Sequence, residues 1–144
     1  EAVDRILEEC SHSVRVMNLP LQVVLQDFME QGHLASHIRA CRTVFGDRRE
    51  VLLNALQASL RSDFKISAPP LGLLAQVWFP ESVSDVAVKV EAARRNTIVS
   101  AMTVHAILPY RSGLLLGFAP YSPSAISRAV AELSESISAQ TIGA

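Results

Sequence analysis

The sequence is nearly empty of the usual catalytic signatures. It has no GxSxG elbow, no HExxH and no glycine-rich phosphate loop, which removes the local marks of α/β-hydrolases, zinc peptidases and nucleotide-binding enzymes. Lysine is almost missing too. Lys65 opens an expected strand and Lys89 lies on the outer side of an expected helix, and neither context resembles the enclosed pocket of a Schiff-base lysine. His105 has no serine or cysteine partner evident in sequence. On these grounds the chain is expected not to be an enzyme on its own, with no catalytic and no cofactor-binding residue assigned.

Cysteine is equally sparse. Cys10 and Cys41 have no CxxC or framework spacing, so they are expected to be buried free thiols of a reducing compartment rather than a disulfide. His33, His37 and Cys41 stand at i, i+4 and i+8 and would share one helix face. A zinc site would need a fourth ligand from elsewhere. The expected reading is a polar helix edge beside a core cysteine, and no metal is assigned.

An excess of charge of either sign is also absent. Lys and Arg total 13 against 14 for Asp and Glu, a net charge of −1, so no global field attracts a nucleic-acid backbone. Arg39, Arg42, Arg48 and Arg49 make one helix locally basic, but Asp47 and Glu50 interrupt them. They are expected on a solvated or inter-domain face. No apolar run reaches the roughly 18 residues of a membrane span and no signal-peptide pattern occurs, so a cytoplasmic location is expected. The chain opens on Glu1 with Val3, Ile6, Leu7 and Cys10 already in helical register, which reads as an excised fragment.

What is present is apolar patterning, at 49% hydrophobic residues, enough for a core without staples. Leu21, Val24, Leu25 and Phe28 keep helical spacing up to Gly32. A longer stripe runs through Leu34, Ile38, Cys41, Phe45, Leu52, Leu56 and Leu60. Short runs at Phe64–Ser67, Leu73–Phe79, Thr97–Ser100 and Leu114–Ala119, bounded by Pro and Asn, predict strands. Ser84 is expected to cap a helix turning Val86, Val90 and Ala93 inward, and Ser122-Pro123 to cap one burying Ile126, Val130, Leu133 and Ile137. Ala101–Gly113 reads as a loop. The order predicts an α+β domain: a small, mostly antiparallel sheet with helices largely on one face, preceded by a long N-terminal helical segment.

One stretch carries a family likeness. The run from Phe28 to Phe45, with Gly32-His33-Leu34, His37-Ile38-Arg39 and Arg42, followed by Arg48-Arg49, resembles the segment that joins the two domains in MocR-type transcription regulators of the GntR group. Ser112-Gly-Leu-Leu-Leu-Gly-Phe-Ala119 and the Ser122-capped helix are similar to the family's late strand and final helix. Pro70–Trp78 resembles its "GLH" strand, with Leu74 where histidine is usual.

The resemblance implies an aminotransferase-like C-terminal small domain at 33–144, preceded at 1–32 by a helical linker from an absent large domain. It further implies an effector-sensing role in a bacterial regulator, the alternative being the small domain of a pyridoxal-phosphate-dependent aminotransferase. The implied partners are the large domain of the same parent chain, DNA only through an absent N-terminal winged helix, and a homodimer partner held mostly by that large domain. Pyridoxal phosphate is implied for the parent and not for this fragment. In aminotransferases of this fold an arginine on the late strand grips the substrate carboxylate; the aligned position here is Leu115, and Arg111 at the strand mouth becomes the candidate effector-binding residue. The stretch Arg111–Phe118 is expected to edge the effector pocket.

Overall fold

The computed structural model describes Val3 and residues 19–69, 72–107 and 111–141; the expected opening helix and Cys10 lie outside them, as does Tyr110. The chain divides into two compact units, Glu1–Cys41 and Arg42–Ala144. In the first, α1 spans Leu19–Glu30 and starts earlier than the apolar spacing suggests. Pro20 falls in its first turn, where amide hydrogens lack helical partners and proline is tolerated. Gly32, at φ 78°, then turns the chain, its N–H donating to the Met29 carbonyl at 3.0 Å, a backbone state open to glycine without steric cost. Helix α2, His33–Ser59, follows. No residue of α1 is buried.

The second unit is the folded α+β body. Strands β1 (Lys65–Ser67), β2 (Leu74–Trp78), β3 (Ser100–Ala101) and β4 (Gly113–Gly117) form an antiparallel sheet in the order β1-β2-β4-β3. Helix α3 spans Asp85–Arg94 and α4 spans Pro123–Thr141. Directly paired residues share a face. One face of the sheet therefore carries Ala75, Val77, Ala101, Leu114 and Leu116, all buried in one cluster with Leu52 and Leu56 of α2, Val88 and Ala92 of α3, and the stripe Ile126, Val130, Leu133 and Ile137 of α4. The other face shows Lys65, Ser67 and Leu74, exposed, and Gln76, Trp78, Ser100 and Leu115, half-buried. The run Leu114–Ala119 is thus covered on one side only. The expected α+β sheet with helices on one face is what the chain builds.

The ends of the helices follow local rules. Ser84 accepts the Ala87 N–H at 3.3 Å, and Ser122 accepts that of Ala125 at 3.3 Å with Pro123 next. Asn96, at φ 58°, closes α3. The Thr97 N–H reaches back to the Ala92 carbonyl at 2.9 Å and the Asn96 N–H to that of Ala93 at 3.1 Å, a Schellman closure.

The expectation fails on the face of α3. Val86 and Val90 are 44% and 49% exposed and Ala93 is exposed, whereas Asp85, Val88 and Ala92 are buried. The apolar spacing of Val86, Val90 and Ala93 is as regular as that of the true inner face, whose first position is an acid. The loop expected at Ala101–Gly113 also contains structure, namely the end of β3 and a 3-10 turn at Thr103–His105.

Gly113 sits where the sheet closes most tightly. A Cβ there would stand 2.7 Å from the Val77 carbonyl oxygen and 2.9 Å from the Met102 sulfur. Gly113→Ala is expected to destabilise the fold by about 2 kcal/mol through overpacking against backbone. The check is a lower denaturant midpoint with an unchanged slope, and an unshifted midpoint would contradict the close approach.

Candidate functional site

The mouth of β4 is held by a buried carboxylate. Asp85, 2% exposed at the first turn of α3, accepts the Thr103 hydroxyl at 2.6 Å and the Thr103 N–H at 3.0 Å. It also accepts the Gly113 N–H at 3.2 Å. Burial alone would raise its pKa, but these hydrogen bonds and that from the Val86 amide outweigh burial and hold it below the ordinary aspartate value. Ser112 completes the knot, its Oγ donating to the Val83 carbonyl at 2.7 Å and accepting the Asp85 N–H at 2.9 Å. One acid thereby ties the start of α3, the 3-10 turn and the start of β4 together. Sequence reasoning gives Asp85 no role beyond the first turn of its helix and places Ser112 in the stretch Arg111–Phe118 expected to edge the effector pocket. The clue for Asp85 is its place at the head of the buried i, i+3, i+7 row.

Arg111 lies immediately before this knot. It is exposed, and its Nε donates to the Phe79 carbonyl at 3.3 Å, while the Phe79 N–H donates to the Ser112 carbonyl at 2.9 Å. Leu115 stands on the open face of the sheet in one row with Gln76 of β2 and Ser100 of β3. The Ser100 Oγ lies 2.9 Å from His105 Nε2, a pairing invisible in sequence because the 3-10 turn folds the histidine back onto its strand. Among the described residues the other ring nitrogen has no hydrogen-bond partner, so the pair lacks the orienting acid of a catalytic triad.

The remaining sequence candidates are dispersed. His33 sits 3.1 Å from Gln31 Oε1 and against the Phe28 ring at 5.4 Å, while His37 Nε2 is 3.4 Å from the Cys41 sulfur. Cys41 is half-buried rather than buried. Among the described residues no three His, Cys, Asp or Glu side chains gather as metal ligands. Arg48 and Arg49 do not form a solvated basic face. Both are half-buried and donate to carbonyls, Arg48 to Ala119 beyond β4 and Arg49 to Ala68 beyond β1, a use for which a fork of rigid donors is suited. Lys65 and Lys89 are both exposed, so neither sits in the enclosed pocket that a Schiff-base lysine needs. No described helix is long and apolar enough to cross a membrane.

No family model matches the chain, and no curated protein sequence matches it. Solved structures do. The multiple substrate aminotransferase of Thermococcus profundus superposes at TM-score 0.75 and 19% identity over 81% of this chain. Two others superpose at TM-score 0.77. One is the α-aminoadipate aminotransferase LysN of Thermus thermophilus, at 16% identity over 85%, solved with N-(5'-phosphopyridoxyl)-L-leucine. The other is the kynurenine aminotransferase of Pyrococcus horikoshii, at 21% identity over 83%. The chain has the fold of an aminotransferase small domain.

It spans about a third or less of the length of these proteins, between 29% and 32%. The expectation that the chain is not an enzyme is corrected by this fold, since the solved structures that share it are enzymes. Missing nucleophile motifs carried that expectation, and in a chain spanning under a third of the length of those enzymes such an absence says little.

Proposed function

We propose that the chain is the small domain of a larger pyridoxal-phosphate protein of the aminotransferase fold, and that the β4 mouth with Arg111 forms one edge of its ligand cleft. The superposition on three aminotransferases over more than 80% of the chain carries this reading. The cofactor, when bound in the whole protein, would supply an electron sink for chemistry at an amino acid. This chain's part is to position the rim. Asp85 holds β4 and the turn rigid, and loops on rigid strands are where binding groups concentrate. Arg111, with its Nε on a backbone carbonyl, presents a guanidinium suited to a carboxylate.

Two versions of this protein differ in a specific way. An aminotransferase is favoured by the solved structures themselves. A MocR-type regulator that uses the same cleft to sense an effector is favoured by Leu115, an apolar side chain where the enzymes of this fold place a carboxylate-binding arginine, and by the Gly32–Arg49 segment. Incubating the whole protein with amino acid donors and an oxo-acid acceptor separates the two. Amino-group transfer supports the enzyme, and ligand-dependent retention of a specific duplex supports the regulator.

In either version Arg111→Ala in the whole protein is expected to weaken binding of the carboxylate ligand by about 1.5 to 3 kcal/mol. Calorimetric titration measures it. An affinity equal to that of the parent would remove Arg111 from the cleft.

A further inference from the structure

A cavity of about 470 Å³ opens on the helix-covered side of the sheet, between the end of β4, the turn after α3 and the first half of α4. Its origin is local. The ladder that pairs Ala101 with Leu114 and Ser100 with Leu115 would continue to Val99 and Leu116, yet it stops at Ser100. The Asn96 turn and the Thr97-to-Ala92 bond hold the incoming chain to α3, so it joins β4 late and leaves a gap. Leu52, Leu116, Phe118, Ile126, Val130 and Leu133 form its buried floor, and Ile98 and Tyr121, both exposed, are the apolar walls at its open side. The volume is that of a small-molecule pocket.

Its rim carries three charged side chains. Arg128 and Glu132 both line the cavity, one turn apart on α4, a spacing at which such pairs commonly join. Here neither side chain makes a hydrogen bond or ion pair among the described residues. Arg95, the third charge at the cavity, is engaged by Glu91 and Glu135. We propose that this cavity binds a free α-amino acid with an apolar side chain, its carboxylate on Arg128, its ammonium on Glu132 and its side chain among the apolar walls. A simple fatty acid would set its carboxylate beside Glu132, and a simple amine its ammonium beside Arg128; only a zwitterion answers both. The site rests on the cavity and its rim, not on the β4 mouth. Leu116 and Phe118 point into it while Leu115 faces the opposite side of the sheet.

Methyl NMR of the 144-residue chain titrated with L-leucine tests the site. Saturable shifts are expected at the methyls of Leu116, Ile126 and Leu133. 4-Methylpentanoate, lacking the amine, and 3-methylbutylamine, lacking the carboxylate, are expected to bind about tenfold more weakly or worse. Arg128→Gln and Glu132→Gln, at a rim where neither side chain supports the core, should each weaken leucine by a similar factor, and Ala129→Phe should abolish binding by filling the gap. Absence of saturable shifts, equal affinity for the three ligands, or rim variants that bind leucine like the parent would each overturn the proposal.

Discussion

Asp85→Ala is expected to cost about 3 to 4 kcal/mol of folding stability, because it strips the partner from two backbone amides and a hydroxyl that remain enclosed. Those are the N–H and Oγ1 of Thr103 and the N–H of Gly113. The loss should appear as a lower denaturant midpoint and, in hydrogen exchange, as faster exchange at Thr103 and Gly113 specifically. The same residue sets an acid limit. Its folded pKa is depressed, so the stability it contributes is fully present above the unfolded aspartate value and falls away as pH drops through the folded value. Stability of the parent chain should therefore fall steeply below about pH 4, and Asp85→Asn, which keeps an acceptor without the charge, should flatten that part of the profile. An Asp85→Ala chain as stable as its parent across the acid range would show that the knot does not hold β4.

Phe79→Ala is the second large effect, at about 3 to 5 kcal/mol. Phe79 is fully buried and meets Phe64 edge to face with ring centroids 5.4 Å apart, an arrangement that adds to area burial. Its backbone is bonded to Ser112 and accepts from Arg111. Collapse into the space left by the ring should therefore disturb the Arg111 mouth as well as the core. Thermal or urea unfolding measures the loss, and a cost below about 1 kcal/mol would mean that the ring is not in the core, since removing a whole buried ring costs several times that.

Much of this was legible residue by residue. The stripe Ile126, Val130, Leu133 and Ile137 is the buried face of α4, since a 3.6-residue period allows few other arrangements. Two of the strands, β1 and β2, fall within the apolar runs that predicted them and β4 begins one residue before its run, and the caps at Ser84 and Ser122 form as their residue types require. The failures share one cause. At α3 the inner face begins with an acid, and a hydropathy pattern ranks Asp85 as solvent-facing because it has no record of the donors that wait for it. Arg48 and Arg49 read as surface charge for the same reason, the acceptor of Arg49 at Ala68 lying 19 residues away in the chain and that of Arg48 at Ala119 lying 71 away.

By itself, then, the sequence determined the class of the fold, the order of its elements and the inner face of its last helix, because these depend on periodicity, turn chemistry and caps within a few residues. Tertiary structure alone decided which polar groups are structural, which face of the sheet stays open and where a gap remains. The pairing of Ser100 with His105, the knot around Asp85 and the cavity beside Arg128 all depend on strands and turns brought together by the fold. Hydrogen bonds and steric gaps are set by proximity in space, and a one-dimensional pattern carries no term for it.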